Sequence, residues 1–132
     1  MLTPINPETL APPIGFSHAM VASADSKIVF LAGQTALNQQ NVIVGNGIVE
    51  QFEVALTNIL TALAAAGGSP SDLAQIRIYS VDPVDYRNHA REIGAVWKRL
   101  VGKQYPAMAL VGVVRLWDDA ALVEIEGTAV IS

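Results

Sequence analysis

Tyr105-Pro106-Ala107-Met108-Ala109-Leu110-Val111 is the stretch on which the fold turns. It is a short apolar run opened by a proline, and it predicts a strand over Met108–Leu116. A helix precedes it. Asp82 can cap that helix and Pro83 suits its first position. Tyr86, Ala90, Ile93, Trp97 and Leu100 then recur at intervals of three and four until Gly102 offers a stop. After the strand, Trp117-Asp118-Asp119 reads as a turn into a second strand, Ala121–Ile131.

Further upstream, Ile48–Ala66 has helical periodicity, with Phe52, Ala55, Leu56, Ile59, Leu60 and Leu63 on one stripe and Gly67-Gly68 at its end. Ser69–Asp72 is a turn, and Ile76–Val81 has the β-branched and aromatic content of a strand. Near the start, His18–Ser23 and Ile28–Gln34 read as two strands joined as a hairpin through Ala24-Asp25-Ser26-Lys27. Residues 1–13 are proline-rich and read as an extended arm; Val42-Ile43-Val44 suits a short strand. The order ββ(β)αβαββ over 1–132 is that of one α+β domain, a mixed sheet with two helices on one face. Alternation along the last strand puts Val123, Ile125, Gly127 and Ala129 on one side and Leu122, Glu124, Glu126 and Thr128 on the other.

The chain has 132 residues, 52% hydrophobic and 15% charged. Ordinary domains carry about 25% charged residues, so polar surface is scarce. The shortage favours a partner subunit over some of the apolar surface; an alanine- and valine-rich core is the plainer reading. A net charge of −4, with only Lys98-Arg99 adjacent among the basic residues, speaks against nucleic acid as a partner. Cysteine is absent, which excludes disulfides, a thiol nucleophile and thiolate metal sites. No apolar stretch reads as long enough to span a bilayer, and Met1–Pro7 lacks the pattern of a signal peptide, so the cytoplasm is the expected compartment.

Few motifs point to chemistry unaided. Gly45-Asn46-Gly47 lacks the third glycine and the preceding long strand of a dinucleotide site. Ser17 has no nucleophile-elbow context, and His18 and His89 belong to no metal-ligand spacing. His18 could carry a proton but also reads as a hydrogen-bonded residue at a strand start, and His89 reads as helix surface. Trp97 reads as core and Trp117 as an exposed turn aromatic or a rim residue.

Taken in order, several segments together resemble the RidA (YjgF-like) family of small trimeric enamine/imine deaminases. They are Pro4-Ile5-Asn6-Pro7, Pro13–Ala19, Ala32-Gly33-Gln34, Gln51 and Asn58, Ala65-Ala66-Gly67, Pro106-Ala107 and Val123–Glu126. The resemblance covers nearly the whole chain. It implies a RidA-like (chorismate-mutase-like) fold, a homotrimer whose sheets face a threefold axis, ligand clefts between subunits, and no cofactor or metal. It also implies that Glu124 positions the attacking water and that Gly33 brings backbone close to the ligand. The family's carboxylate-binding arginine is here Met108, and its cleft tyrosine is here Phe16. Ala32 and Ala90 stand where members carry serine and asparagine.

A thioether donates no hydrogen bond. A buried carboxylate deprived of its partner costs about 3–5 kcal/mol, roughly a hundred- to several-thousand-fold in affinity. Arg115 is seven positions beyond Met108, an odd separation that aims it at the opposite face of a continuous strand. The expectation is therefore an enamine/imine hydrolase of a small, less polar substrate, weak on simple imino acids. Phe16, Met108 and Leu110 would line its cleft, Gly33 would supply backbone, and Glu124 would act as the catalytic group, with Glu126 beside it. The alternative is a non-catalytic trimer that binds a small metabolite or a protein. A ribonuclease, a label attached to relatives of the family, is disfavoured by the acidic balance.

Overall fold

Strand β6 (Val123–Ile131) is central in a four-stranded sheet, between β3 (Lys27–Gln34) and β4 (Leu73–Ser80), with β5 (Ala107–Gly112) outermost beyond β4. The computed structural model describes residues 2–132. β6 runs antiparallel to both neighbours, while β4 and β5 are parallel, so the sheet is mixed. A second, two-stranded sheet joins β1 (Leu2–Ile5) to β2 (Ala19–Ala22). Three helices complete the α+β fold: α1 (Ile48–Ala65), α2 (Pro83–Asn88) and α3 (Ala90–Leu100).

The alternation expected along β6 holds. Val123, Ile125 and Ala129 are buried beneath the helices with Phe52, Leu56, Ile59 and Leu63 of α1. Register carries the same two-sidedness to the other strands. Ile78 pairs with Ile125 and Ile76 with Met108, on the helix side. Arg77 pairs with Glu126 and Tyr79 with Glu124, on the open side. That open side also carries apolar groups of β3: Ile28 is 61% and Phe30 82% exposed.

The helix ends follow their signals. Gly67 and Gly102 take φ of 91° and 115° just beyond α1 and α3, a conformation that favours glycine. Asp82 accepts from the Asp85 N–H at 3.1 Å with Pro83 at the first helical position of α2. By length and mean hydropathy alone (18 residues, 1.3) α1 would suffice to cross a bilayer, which corrects the expectation that no stretch is long enough. Its apolar stripe is instead the centre of the core.

Four expectations need correction. β2 pairs with β1, not β3, so Ala24–Lys27 does not close a hairpin and the proline-rich arm holds a strand at Leu2–Ile5. The single helix expected after Asp82 is two, because His89 leaves helical geometry (φ −108°, ψ 18°) with its Nδ1 2.9 Å from the Asp85 carbonyl. β5 stops at Gly112 rather than Leu116. Val42–Val44 forms only an isolated bridge, Leu37 to Ile43.

Gln51 ties the helix layer to the loops. It is buried, donates from Nε2 to the Ala120 carbonyl at 3.1 Å, and accepts from the Leu122 N–H at 2.9 Å. Replacing it with leucine leaves both backbone groups without a partner. Gln51→Leu should therefore lower unfolding stability by about 1–3 kcal/mol, read as a shift of the urea midpoint at unchanged slope.

Candidate functional site

The open face of the sheet carries Glu124 and Glu126 on β6, two residues apart and on the same side. Glu126 is committed: it accepts from the Tyr79 hydroxyl at 2.7 Å, and Arg77 Nη1 lies 3.4 Å from its other oxygen. Glu124 accepts no hydrogen bond from any described residue. Burial, and then the charge of Glu126, push its carboxyl pKa above the ordinary range.

Gly33 lies directly against Glu124. A Cβ there would stand 2.5 Å from Oε2 and 2.9 Å from Cδ of Glu124, so any side chain would displace the carboxylate. The sheet is irregular at this point: Leu31 pairs with Gly127 and Gln34 with Ile125, leaving one extra residue in β3. Bare backbone and a carboxylate without a partner thus share one spot. A carboxylate of raised proton affinity in such a place can take a proton from a bound water and return it to a leaving nitrogen.

Met108 is on the other side of the sheet. It packs against the core and borders a cavity of about 680 Å³ lined by Ile14, Tyr86, Ile93, Trp97 and Tyr105. Leu110, in register with Ile78, shares this side and is partly exposed. Phe16 reaches Met108 because the preceding loop docks on the start of β5. The Ser17 N–H donates to the Pro106 carbonyl at 2.9 Å, and its hydroxyl donates to the Tyr105 carbonyl at 2.7 Å. A smaller cleft of about 310 Å³ lies there, lined by Phe16, His18, Arg77, Ala107 and Met108.

Within one chain, then, Gly33 and Glu124 come together and Phe16 and Met108 come together, but the two pairs do not meet. His18 is occupied structurally: Nε2 lies 2.8 Å from the Ala11 carbonyl, and Phe16 packs edge-on against its ring. Arg115 falls outside β5 and pairs with Asp119 at 2.7 Å. Trp97 is core and Trp117 is 90% exposed, as the sequence suggests. Arg77 was missed. The signal was available, since alternation along Ile76–Val81 sets Arg77 and Tyr79 opposite the buried Ile76 and Ile78. Among the described residues no three His, Cys, Asp or Glu side chains cluster as metal ligands.

These features define an α+β protein with two clusters of candidate residues on opposite faces of one mixed sheet. A family model described as Endoribonuclease L-PSP matches residues 7–131. The chain belongs to that family, the RidA (YjgF-like) proteins. A crystal structure of YyfB from Yersinia pestis, described as a protein of unknown function of the conserved Rid family, superposes with a TM-score of 0.84 at 33% identity over 97% of both chains. A 2-iminobutanoate/2-iminopropanoate deaminase of Dermatophagoides farinae is 30% identical over 98% of this chain and 93% of its own. A RutC family protein of Pyrococcus horikoshii is 33% identical over 92% of each.

The raised Glu124 pKa has a consequence for stability. Between its unfolded and folded values the folded chain binds the proton more tightly. Stability therefore falls as pH rises through that window, and the loss is complete above it. Glutamine at 124 removes the effect. Glu124→Gln should melt above the native chain at about pH 7, and the difference should shrink as the pH is taken down to about 4. Thermal melts across that range measure it.

Proposed function

We propose that the chain is a hydrolase of the enamine/imine deaminase type whose substrate is less polar than a simple imino acid. Glu124 places and activates the water. The carrying observation is the Glu124–Gly33 pair: a carboxylate with no partner among the described residues, of raised proton affinity, pressed on glycine backbone. The deaminase name of the mite relative supports the reaction class. Met108 supports the change of substrate, because its thioether cannot donate a hydrogen bond to a small acid.

The two half-sites form one site if copies of the chain associate. We infer a homotrimer in which the Glu124 face of one protomer meets the Met108 edge of the next. The exposed Ile28 and Phe30 on the Glu124 face support this, since apolar sheet surface of that kind favours burial against a partner. Light scattering should give three times the 14.0 kDa of one chain; a monomer at micromolar concentration would leave the two half-sites apart.

Turnover is tested on a panel of enamines and imines generated in situ. Glu124→Gln should abolish hydrolysis of any substrate the native assembly accepts while its mass is unchanged. Native activity on 2-iminopropionate should be low, and Met108→Arg should raise it at least about tenfold by restoring a charged donor. An assembly that hydrolyses no member of the panel is a binding protein, and the hydrolase reading fails.

A further inference from the structure

The cavity beside Met108 is larger and more aromatic than a three- or four-carbon substrate requires. Its volume is about 680 Å³, within the range of small-molecule sites. Phe52 meets Tyr86 edge-on at 6.1 Å, and Trp97 stacks on Tyr105 at 5.6 Å with 11° between the planes. The floor is thus Tyr86, Tyr105 and the Met108 thioether, with the almost wholly buried rings of Phe52 and Trp97 packed behind them. The Tyr86 ring is mostly buried, and its hydroxyl makes no hydrogen bond with any described residue. One wall is α3, which presents the small residues Ala90, Gly94 and Ala95; a Cβ at Gly94 would meet nothing within 4 Å.

Two cations line the same cavity. Arg91 and Lys98 lie on either side of Gly94 and Ala95, seven residues apart and so on one face of α3. Both are exposed. Neither makes a hydrogen bond or ion pair with a described residue, whereas Arg99 on another face of the helix pairs with Glu53 at 2.7 Å. Aromatic floor, open helix wall and two uncommitted cations ask for one kind of molecule. It has a flat apolar body of about one ring and a single acidic group directed toward α3.

We propose that this cavity binds an arylalkyl carboxylic acid or an acid of like shape, with the ring against Tyr105 and Met108, in front of Trp97, and the carboxylate between Arg91 and Lys98. In this chain the anion contact is moved from β5 to α3. Propionate or pyruvate has too little apolar body to fill the floor. The proposal rests on the reading of the Met108 side as the substrate's seat; the matching substrate is an imine or enamine with the same aryl body and carboxylate, and the saturated acid is its unreactive analogue.

The test is a binding measurement, which keeps it separate from turnover. An assembly that hydrolyses nothing can still bind, and one that hydrolyses small enamines can still refuse an aromatic acid. In a Trp117→Phe background Trp97 is the remaining tryptophan, and its fluorescence reports the cavity. 3-Phenylpropionate should quench it saturably, 3-phenylpropionamide should bind roughly tenfold more weakly, and propionate should not bind. Gly94→Leu fills the cavity and improves helix propensity, so it should fold and lose 3-phenylpropionate binding; Ala90→Leu provides a second filling variant. Arg91→Gln with Lys98→Gln should bring the acid down to the affinity of the amide. The proposal is overturned if the folded assembly does not bind 3-phenylpropionate. It is overturned equally if the amide binds as tightly as the acid, or if both filling variants fold and bind as the native chain does.

Discussion

The register of β6 against its two neighbours governs where every functional group of this chain points. Val123, Ile125 and Ala129 must face the helices, because burial of these groups with the α1 stripe forms the core. A slip of one residue would send the glutamates into the core and the valine and isoleucine into water. Held in place, β6 sets Glu124 opposite Tyr79 and Glu126 opposite Arg77. Gly127 keeps the inner face close: a side chain there would collide with the Gln75 carbonyl and Ile76 of β4.

The same register explains why two glutamates of one strand differ. Glu126 has a phenol and a guanidinium and is accounted for as part of the sheet's polar face. Glu124, two residues earlier, faces the irregular end of β3, where Gly33 has no side chain to offer. The extra residue in β3 creates that contrast, as irregular pairings near reactive groups often do.

Much of this was legible in the sequence. Helix ends at Gly67 and Gly102, the Asp82–Pro83 start, and the two faces of β6 follow from local rules, because each depends on residues close in the chain. The hairpin expected at Ala24–Lys27 failed for the opposite reason. A polar four-residue link is compatible with a hairpin, but β2 found its partner in β1, a strand hidden among prolines whose pairing is long-range. The break at His89 also escaped, since its cause is a side chain bonding back to Asp85 while the apolar stripe runs on unbroken through α2 and α3. Of the candidate residues, Gly33 and Glu124 lie against each other. Met108 and Leu110 were placed by strand order, but the side of the sheet they occupy depends on parallel pairing with β4, which composition does not disclose. Arg77 is not legible as part of the site, because its neighbours there, Glu126 and Met108, are distant in the chain.

The sheet separates the carboxylate of raised proton affinity from the aromatic cavity. Glu124 and Gly33 stand on one side and Met108 and α3 on the other, and only at the sheet edge does Arg77, bound to Glu126, also line the cleft beside Met108. Substitutions in the α3 wall can therefore accumulate without moving the Glu124 carboxylate, and the shape of the cavity can drift while the opposite face of the sheet is kept. A lineage built on such a partition is free to remodel one face with little hazard to the other.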